Sequence, residues 1–237
     1  MGGIIAAAGN ATMQSPAALG VDVLWDGAGI SESGGSVSQW AASIGTATNA
    51  KVGAGTLTYT ASWRGGKPSV TIASGTRLET SGPGLTGTEW TYLFVGQVPA
   101  SHPTTAYGPM SANIGKPFPI LFWDAGANVD VRTSPDGSNI YNTAPGLNLL
   151  DKAVAIIVRV KANSQRMRIV VDGGATDYST TGALVHAQHS GSALGDWYGG
   201  GGNMTGGKIA LFGIWDRELA DSEASSLGAW CASEFAL

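Results

Sequence analysis

Four cations, Arg159, Lys161, Arg166 and Arg168, crowd into the segment VAIIVRVKANSQRMRIVVDG. They alternate with Val158, Val160, Met167 and Ile169, so a hairpin would carry charge on one face and apolar groups on the other. A four-residue turn at 162–165 would set Arg159 against Arg168 and Lys161 against Arg166. A three-residue turn would mix charged and apolar side chains on both faces, and the pattern argues against it. A face of this kind suits an anion, either acidic groups on a neighbouring subunit or an acidic glycan. The alternative is an ordinary solvated outer face, because screening keeps like-charge repulsion small. On the anion-facing reading, replacing all four cations by Ser is expected to leave the fold intact and to weaken assembly or attachment.

A second candidate is the run Asp196, Trp197, Tyr198 followed by GGGGNM, which contains Asn203. Aromatic faces on a Gly-rich loop could stack on a sugar while Asp196 and Asn203 exchange hydrogen bonds with its hydroxyls. The alternative is a loop folding its own aromatics onto the domain edge. His186 and His189 form an HxxH, but no Cys or nearby carboxylate completes a metal set, and an extended backbone would not aim both rings at one ion. No GxSxG elbow accompanies the serines, so no nucleophilic triad is expected. Asp124, Asp130, Asp172 and Asp177 suit turns and strand ends. Calcium is their one alternative role, and without a calcium-loop pattern no cofactor or metal is expected.

The elements that would position these residues are short strands. The chain has 237 residues, 43% of them apolar, only 13% charged, with 36 glycines. That composition favours many strands joined by tight turns. Strands are expected near 22–26, 37–41, 56–60, 69–73, 77–80, 90–97, 118–123, 128–133, 153–160, 166–172, 176–179 and 207–216. The prolines between Pro99 and Pro119 predict an irregular surface excursion there. One helix is predicted, beginning at Ala220 or Asp221, with Glu223 in its first turn and Ala224, Leu227, Trp230, Cys231 and Phe235 along one stripe. Trp25, Trp40, Trp90, Trp123 and Trp215 fall in apolar strands and are core candidates; Trp63 and Trp197 are the exposed ones. Residues 1–20 are expected to form an arm or tether, and 21–237 a single domain.

Net charge is −4, which gives no general attraction for nucleic acid, and the single Cys231 cannot make an internal disulfide. No basic residue precedes the short apolar run of the N-terminus and no stretch approaches about 18 apolar residues, so neither an export signal nor a membrane span is expected.

The segments LWDGAGISESGGSVSQW from Leu24, GKPSVTIASGTRL from Gly66, EWTYLFVGQV from Glu89 and KIALFGIWDRELADSEASSLGAWCASEF from Lys208 resemble, in order and spacing, the concanavalin A-like lectin/glucanase superfamily. They are most similar to the laminin G-like jelly-roll domains of phage and bacterial surface proteins. The resemblance implies an all-β, two-sheet antiparallel jelly-roll sandwich with one C-terminal helix. Asp216, Arg217, Leu219 and Glu223 match the family's approach to that helix, while Ala220 replaces its capping serine, so a frayed helix start is expected.

Glucanases of the superfamily carry two glutamates and an aspartate at alternating positions of one strand. None of the six glutamates here, at 32, 79, 89, 218, 223 and 234, shares an expected strand with a carboxylate two residues away. The resulting expectation is a non-enzymatic, exposed structural protein of a phage virion, a head decoration or tail-associated component with no catalytic residues. Its partners would be other virion proteins or copies of itself. The alternative is a carbohydrate-binding adhesin module that recognises surface glycans through Asp196, Trp197, Tyr198 and Asn203. A polysaccharide lyase or hydrolase with an unfamiliar site is a third reading.

Overall fold

The computed structural model describes residues 12–52, 55–80, 89–100, 107–111, 120–123, 129–132, 140–143, 148–161, 164–181, 192–194 and 204–237. Among the described residues there are seventeen strands, two short 3-10 turns and one α-helix. In chain order they begin β1 (Val23–Trp25), β2 (Ile30–Ser33), β3 (Ser36–Ala41), β4 (Thr48–Val52), β5 (Leu57–Thr60), β6 (Ser69–Thr71) and β7 (Arg77–Thr80). There follow β8 (Trp90–Gln97), β9 (Tyr107–Ser111), β10 (Ile120–Trp123), β11 (Val129–Arg132) and β12 (Ile140–Thr143). The chain closes with β13 (Ala153–Lys161), β14 (Ser164–Val171), β15 (Gly174–Thr181), β16 (Ser192–Leu194), β17 (Lys208–Trp215) and α1 (Asp221–Glu234). Every strand pairing among the described residues is antiparallel, in one hydrogen-bonded network.

Strands β15, β14, β13, β8 and β17 lie side by side, and the far edge of β17 is shared by β1 and β6. Strands β8 and β13 are buried along almost their whole length, which is why WTYLFVGQ and AVAIIVRV read as continuous apolar runs. Side-chain alternation sorts them into two cores. Trp90, Tyr92 and Phe94 of β8, Val154, Ile156, Val158 and Val160 of β13, and Met167 and Ile169 of β14 join one cluster with Val37, Trp40, Leu57 and Leu78 from β3, β5 and β7. Leu93, Val95, Ala155, Ile157 and Val170 point the other way and share a cluster with Ala224, Leu227 and Cys231 of α1 and with Phe235, which caps it. The predicted helix stripe is therefore the cover of the second core. Gly228 lets α1 lie close to the sheet, since a Cβ there would sit 3.3 Å from Arg168 Cδ and Val170 Cγ2.

Several expectations are corrected. The β13–β14 hairpin pairs Lys161 with Ser164 and Arg159 with Arg166, so the turn is the two residues 162–163 and not 162–165. Two and four residues give the same parity, and the apolar pattern fixes parity alone. The excursion expected from Pro99 to Pro119 contains strand β9, where Pro109 falls at the register shift between the Met110–Leu121 and Tyr107–Trp123 pairs. A ladder irregularity tolerates a residue with no N–H to donate. Strands β2, β4, β9, β12 and β16 were not expected, because segments such as ISES, TNAKV and IYNT lack apolar alternation. The helix start is tied down despite Ala220: the Glu223 carboxylate accepts the Ala220 N–H at 2.7 Å and both Arg217 Nη atoms at 2.9 Å.

Within the expected arm, residues 12–20 fold onto their own chain. Leu19 is buried, and its carbonyl accepts the Trp215 Nε1–H at 3.1 Å and an Arg217 N–H at 2.9 Å. Trp63, expected to be exposed, is half-buried against the second core.

Candidate functional site

The cationic hairpin face is built by alternation: toward the hairpin end, the residues of β13 and β14 that turn away from the first core include Arg159, Lys161, Arg166 and Arg168, while Ala155, Ile157 and Val170 continue that face under α1. In the observed register Arg159 and Arg166 are direct cross-strand neighbours, an unfavourable pairing taken alone. Asp221, at the start of α1, lies between them, its Oδ1 2.6 Å from Arg159 Nη1 and 2.7 Å from Arg166 Nη1. Arg159 also donates to the Leu219 carbonyl at 3.1 Å and is only 4% exposed. Glu218 extends the network, 3.7 Å from Lys161 Nζ and 3.8 Å from Arg166 Nε. Arg168 grips Asp177, its register partner on β15, through Nε–Oδ1 at 2.8 Å and Nη2–Oδ2 at 2.6 Å, and reaches Ser225 Oγ at 2.6 Å. Four cations thus meet three carboxylates of the same chain, and the expectation that replacing all four by Ser leaves the fold intact is reversed.

A cavity of about 420 Å³ opens over this network, lined by Arg159, Arg166, Arg168, Asp177, Tyr178 and Asp221 among others. Hydrogen bonds, first from Arg159 and then from Arg166, hold the Asp221 carboxyl below its ordinary range. The Arg217 hydrogen bonds do the same for Glu223. Hydrogen bonding to Asp177 strengthens the hold of Arg168 on its proton. The cavity therefore brings basic and acidic side chains together, tied to one another by hydrogen bonds.

Because the folded-state values of Asp221 and Glu223 lie below those of the unfolded chain, the unfolded chain binds more protons in the acid range. The stabilisation is full above about pH 5 and is lost as pH falls through the folded-state values. The melting temperature should fall between about pH 5 and pH 3, and should fall less steeply in the Asp221→Asn, Glu223→Gln double variant. Thermal melts across that range check this.

Asp196, Trp197, Tyr198, Asn203, His186, His189 and Asp124 lie outside the described residues. Asp172 forms an exposed ion pair with Lys152 at 2.8 Å and sits at a turn with φ 50°. Among the described residues no group of three His, Cys, Asp or Glu is placed to hold a metal ion. Sequence reading missed Glu218, Asp221 and Ser225 as partners of the cations. The one available signal is the clustering of acids, Glu218, Asp221 and Glu223, just before and within the first helical turn.

No protein-family model matches the chain, and no curated protein matches it in sequence. Solved structures do match its fold. A Trypanosoma rangeli sialidase in complex with the inhibitor DANA matches with a TM-score of 0.61 at 13% identity, over 93% of this chain and 35% of that one. The same sialidase with 2,3-difluorosialic acid, as a covalent intermediate, gives 0.59 at 11% identity, over 91% of this chain and 33% of that one. A GH54 α-L-arabinofuranosidase soaked with a cyclic sulfate inhibitor gives 0.63 at 13% identity, over 84% of this chain and 51% of that one. The chain thus spans about a third to a half of these proteins. What is shared is a fold, antiparallel and β-rich.

These likenesses correct two expectations, that of a phage structural protein and that of a protein outside enzyme chemistry: the matched folds occur in glycoside hydrolases. Low charge and a Gly-rich composition reflect strand and turn chemistry and carry no mark of a virion. Carboxylates on one strand are also only one of the arrangements a fold can build. Asp177 and Asp221, far apart in sequence, line the same cavity.

Proposed function

We propose that this chain is a carbohydrate-active β-sandwich domain that binds glycan. The observation that carries the reading is fold coverage: nearly the whole chain superposes on parts of two different glycosidases. The finer architecture belongs to the same proposal, namely two stacked sheets of concanavalin A-like jelly-roll type in one domain over 21–237. The two buried clusters on opposite faces of β8 and β13 support it. Asp196, Trp197, Tyr198 and Asn203 remain the proposed glycan contacts on their Gly-rich loop.

The experiment is retardation of the native chain in gels carrying soluble polysaccharides, with a glycan array alongside. Retardation by at least one polysaccharide, weakened about tenfold by Trp197→Ala, is the expected result, on the scale of one lost stacking contact. The same samples, assayed for released reducing ends and for cleavage of 4-nitrophenyl α-L-arabinofuranoside, test whether the chain itself hydrolyses what it binds. The convergence of Asp177 and Asp221 on one cavity favours making that assay.

A further inference from the structure

The edge of β17 that faces away from β8 is divided between two strands. The β1 register ends at the Trp25–Phe212 pair and the β6 register begins at the Val70–Ile209 pair. Ala210 and Leu211 fall in the interval, where the register of β17 against β8 also shifts. Here the flanking chain runs into the short helical turn Gly27–Gly29 after β1 and comes from Lys67–Pro68 before β6. The last turn of α1 crosses the opening. A groove of about 270 Å³ results, with Ala210 and Leu211 as its floor and Trp230 and Phe235 on the helix side.

We propose that this groove holds one neutral sugar ring. The inference rests on the glycan-binding reading above and assigns it a second contact site, distinct from Asp196, Trp197, Tyr198 and Asn203. Trp230 is only partly buried, and Phe235 stands edge-on to it with ring centroids 6.0 Å apart, which fixes the indole. A fixed aromatic face costs little ordering entropy when the C–H face of a sugar packs on it.

The rim supplies polar groups. Lys67 and Glu234 form an ion pair there, presenting a donor and an acceptor side by side, as neighbouring hydroxyls require. Asp26 uses Oδ1 to accept the Ala28 N–H at 3.0 Å, and its Oδ2 carries no hydrogen bond among the described residues. A wholly apolar ligand would strip water from these three groups without replacing it. One cation against two carboxylates leaves the rim negative by one charge, which disfavours uronic or sialic acids.

Gly27 lets the two flanking segments meet at the groove wall, because a Cβ on it would stand 2.0 Å from Pro68 Cγ. The Gly27→Ala variant therefore displaces the wall without touching the aromatic platform.

The test uses the full chain in gel retardation against galactomannan, arabinoxylan and laminarin as neutral probes, and polygalacturonate as the acidic one. Trp230→Ala should weaken binding of the neutral probe at least tenfold and Trp230→Phe should recover most of it. Asp26→Asn, which keeps an oxygen for the Ala28 N–H, should weaken binding severalfold with an unchanged melting temperature. Binding unaltered in Trp230→Ala, Asp26→Asn and Gly27→Ala but abolished by Trp197→Ala would overturn the groove and leave the glycan-binding reading standing. Preference for polygalacturonate overturns the assignment to a neutral sugar. Failure of the native chain to bind any of the four overturns both.

Discussion

Replacing Trp215 by Ala should destabilise the folded chain by about 3 to 5 kcal/mol, the range for removing a large aromatic from a packed core. Trp215 ends β17, is completely buried, and packs in the core beneath α1 with Leu19, Leu93, Leu219 and Leu227. Its indole N–H also ties residues 12–20 to the domain through the Leu19 carbonyl. Trp215→Phe separates these contributions. Most of the apolar volume stays, and Leu19 O keeps the Arg217 donor, so the loss should be about 1 kcal/mol for the hydrogen bond plus a smaller packing defect. Urea unfolding of the two variants measures the difference. A Trp215→Ala protein within about 1 kcal/mol of native would mean that the helix layer is not part of the cooperative fold.

Asp221→Ala should cost about 3 kcal/mol, although the Asp221 side chain is itself mostly exposed. The loss comes from its partner. Arg159 is buried, and without Asp221 its charge keeps only the Leu219 carbonyl while Arg166 stands directly across the strand pair. The figure is placed at the low end for a broken buried pair because the cavity above the network admits water to the guanidinium. The sign of a second substitution decides between this account and a simple loss of helix capping. In an Asp221→Ala background, Arg159→Met removes the stranded charge and fills its space with an apolar chain, so stability should recover by at least half. If Arg159→Met deepens the defect instead, the stranded charge is not its cause. Chemical denaturation of the two single variants and the double variant supplies the cycle.

Both predictions turn on α1, whose existence was legible and whose destination was not. Ala224, Leu227, Cys231 and Phe235 announce a buried stripe by spacing, and Trp90 to Gln97 and Ala153 to Val160 announce strands covered on both faces. Joining the two statements requires knowing that the helix returns over β13 and β14. Read alone, Arg159, Lys161, Arg166 and Arg168 make the charged side of a two-sided hairpin look solvated, since nothing local names Asp221 or Glu218 as their neighbours. The same limit governs the groove. Asp26, Lys67, Leu211 and Trp230 stand in four separate segments without shared spacing, and only the split edge of β17 brings them together.

Composition and alternation by themselves determined a chain of many short strands closed by one C-terminal helix, the parity of the β13–β14 hairpin, and the apolar residues of the interior. These follow from short-range geometry, because side-chain period is a property of the backbone of each element. The hairpin's turn length, the burial of Arg159, the pairing of its charges and the meeting of Asp177 with Asp221 were decided by tertiary structure alone. Each depends on which distant segment supplies the missing partner, and one-dimensional spacing does not carry that information.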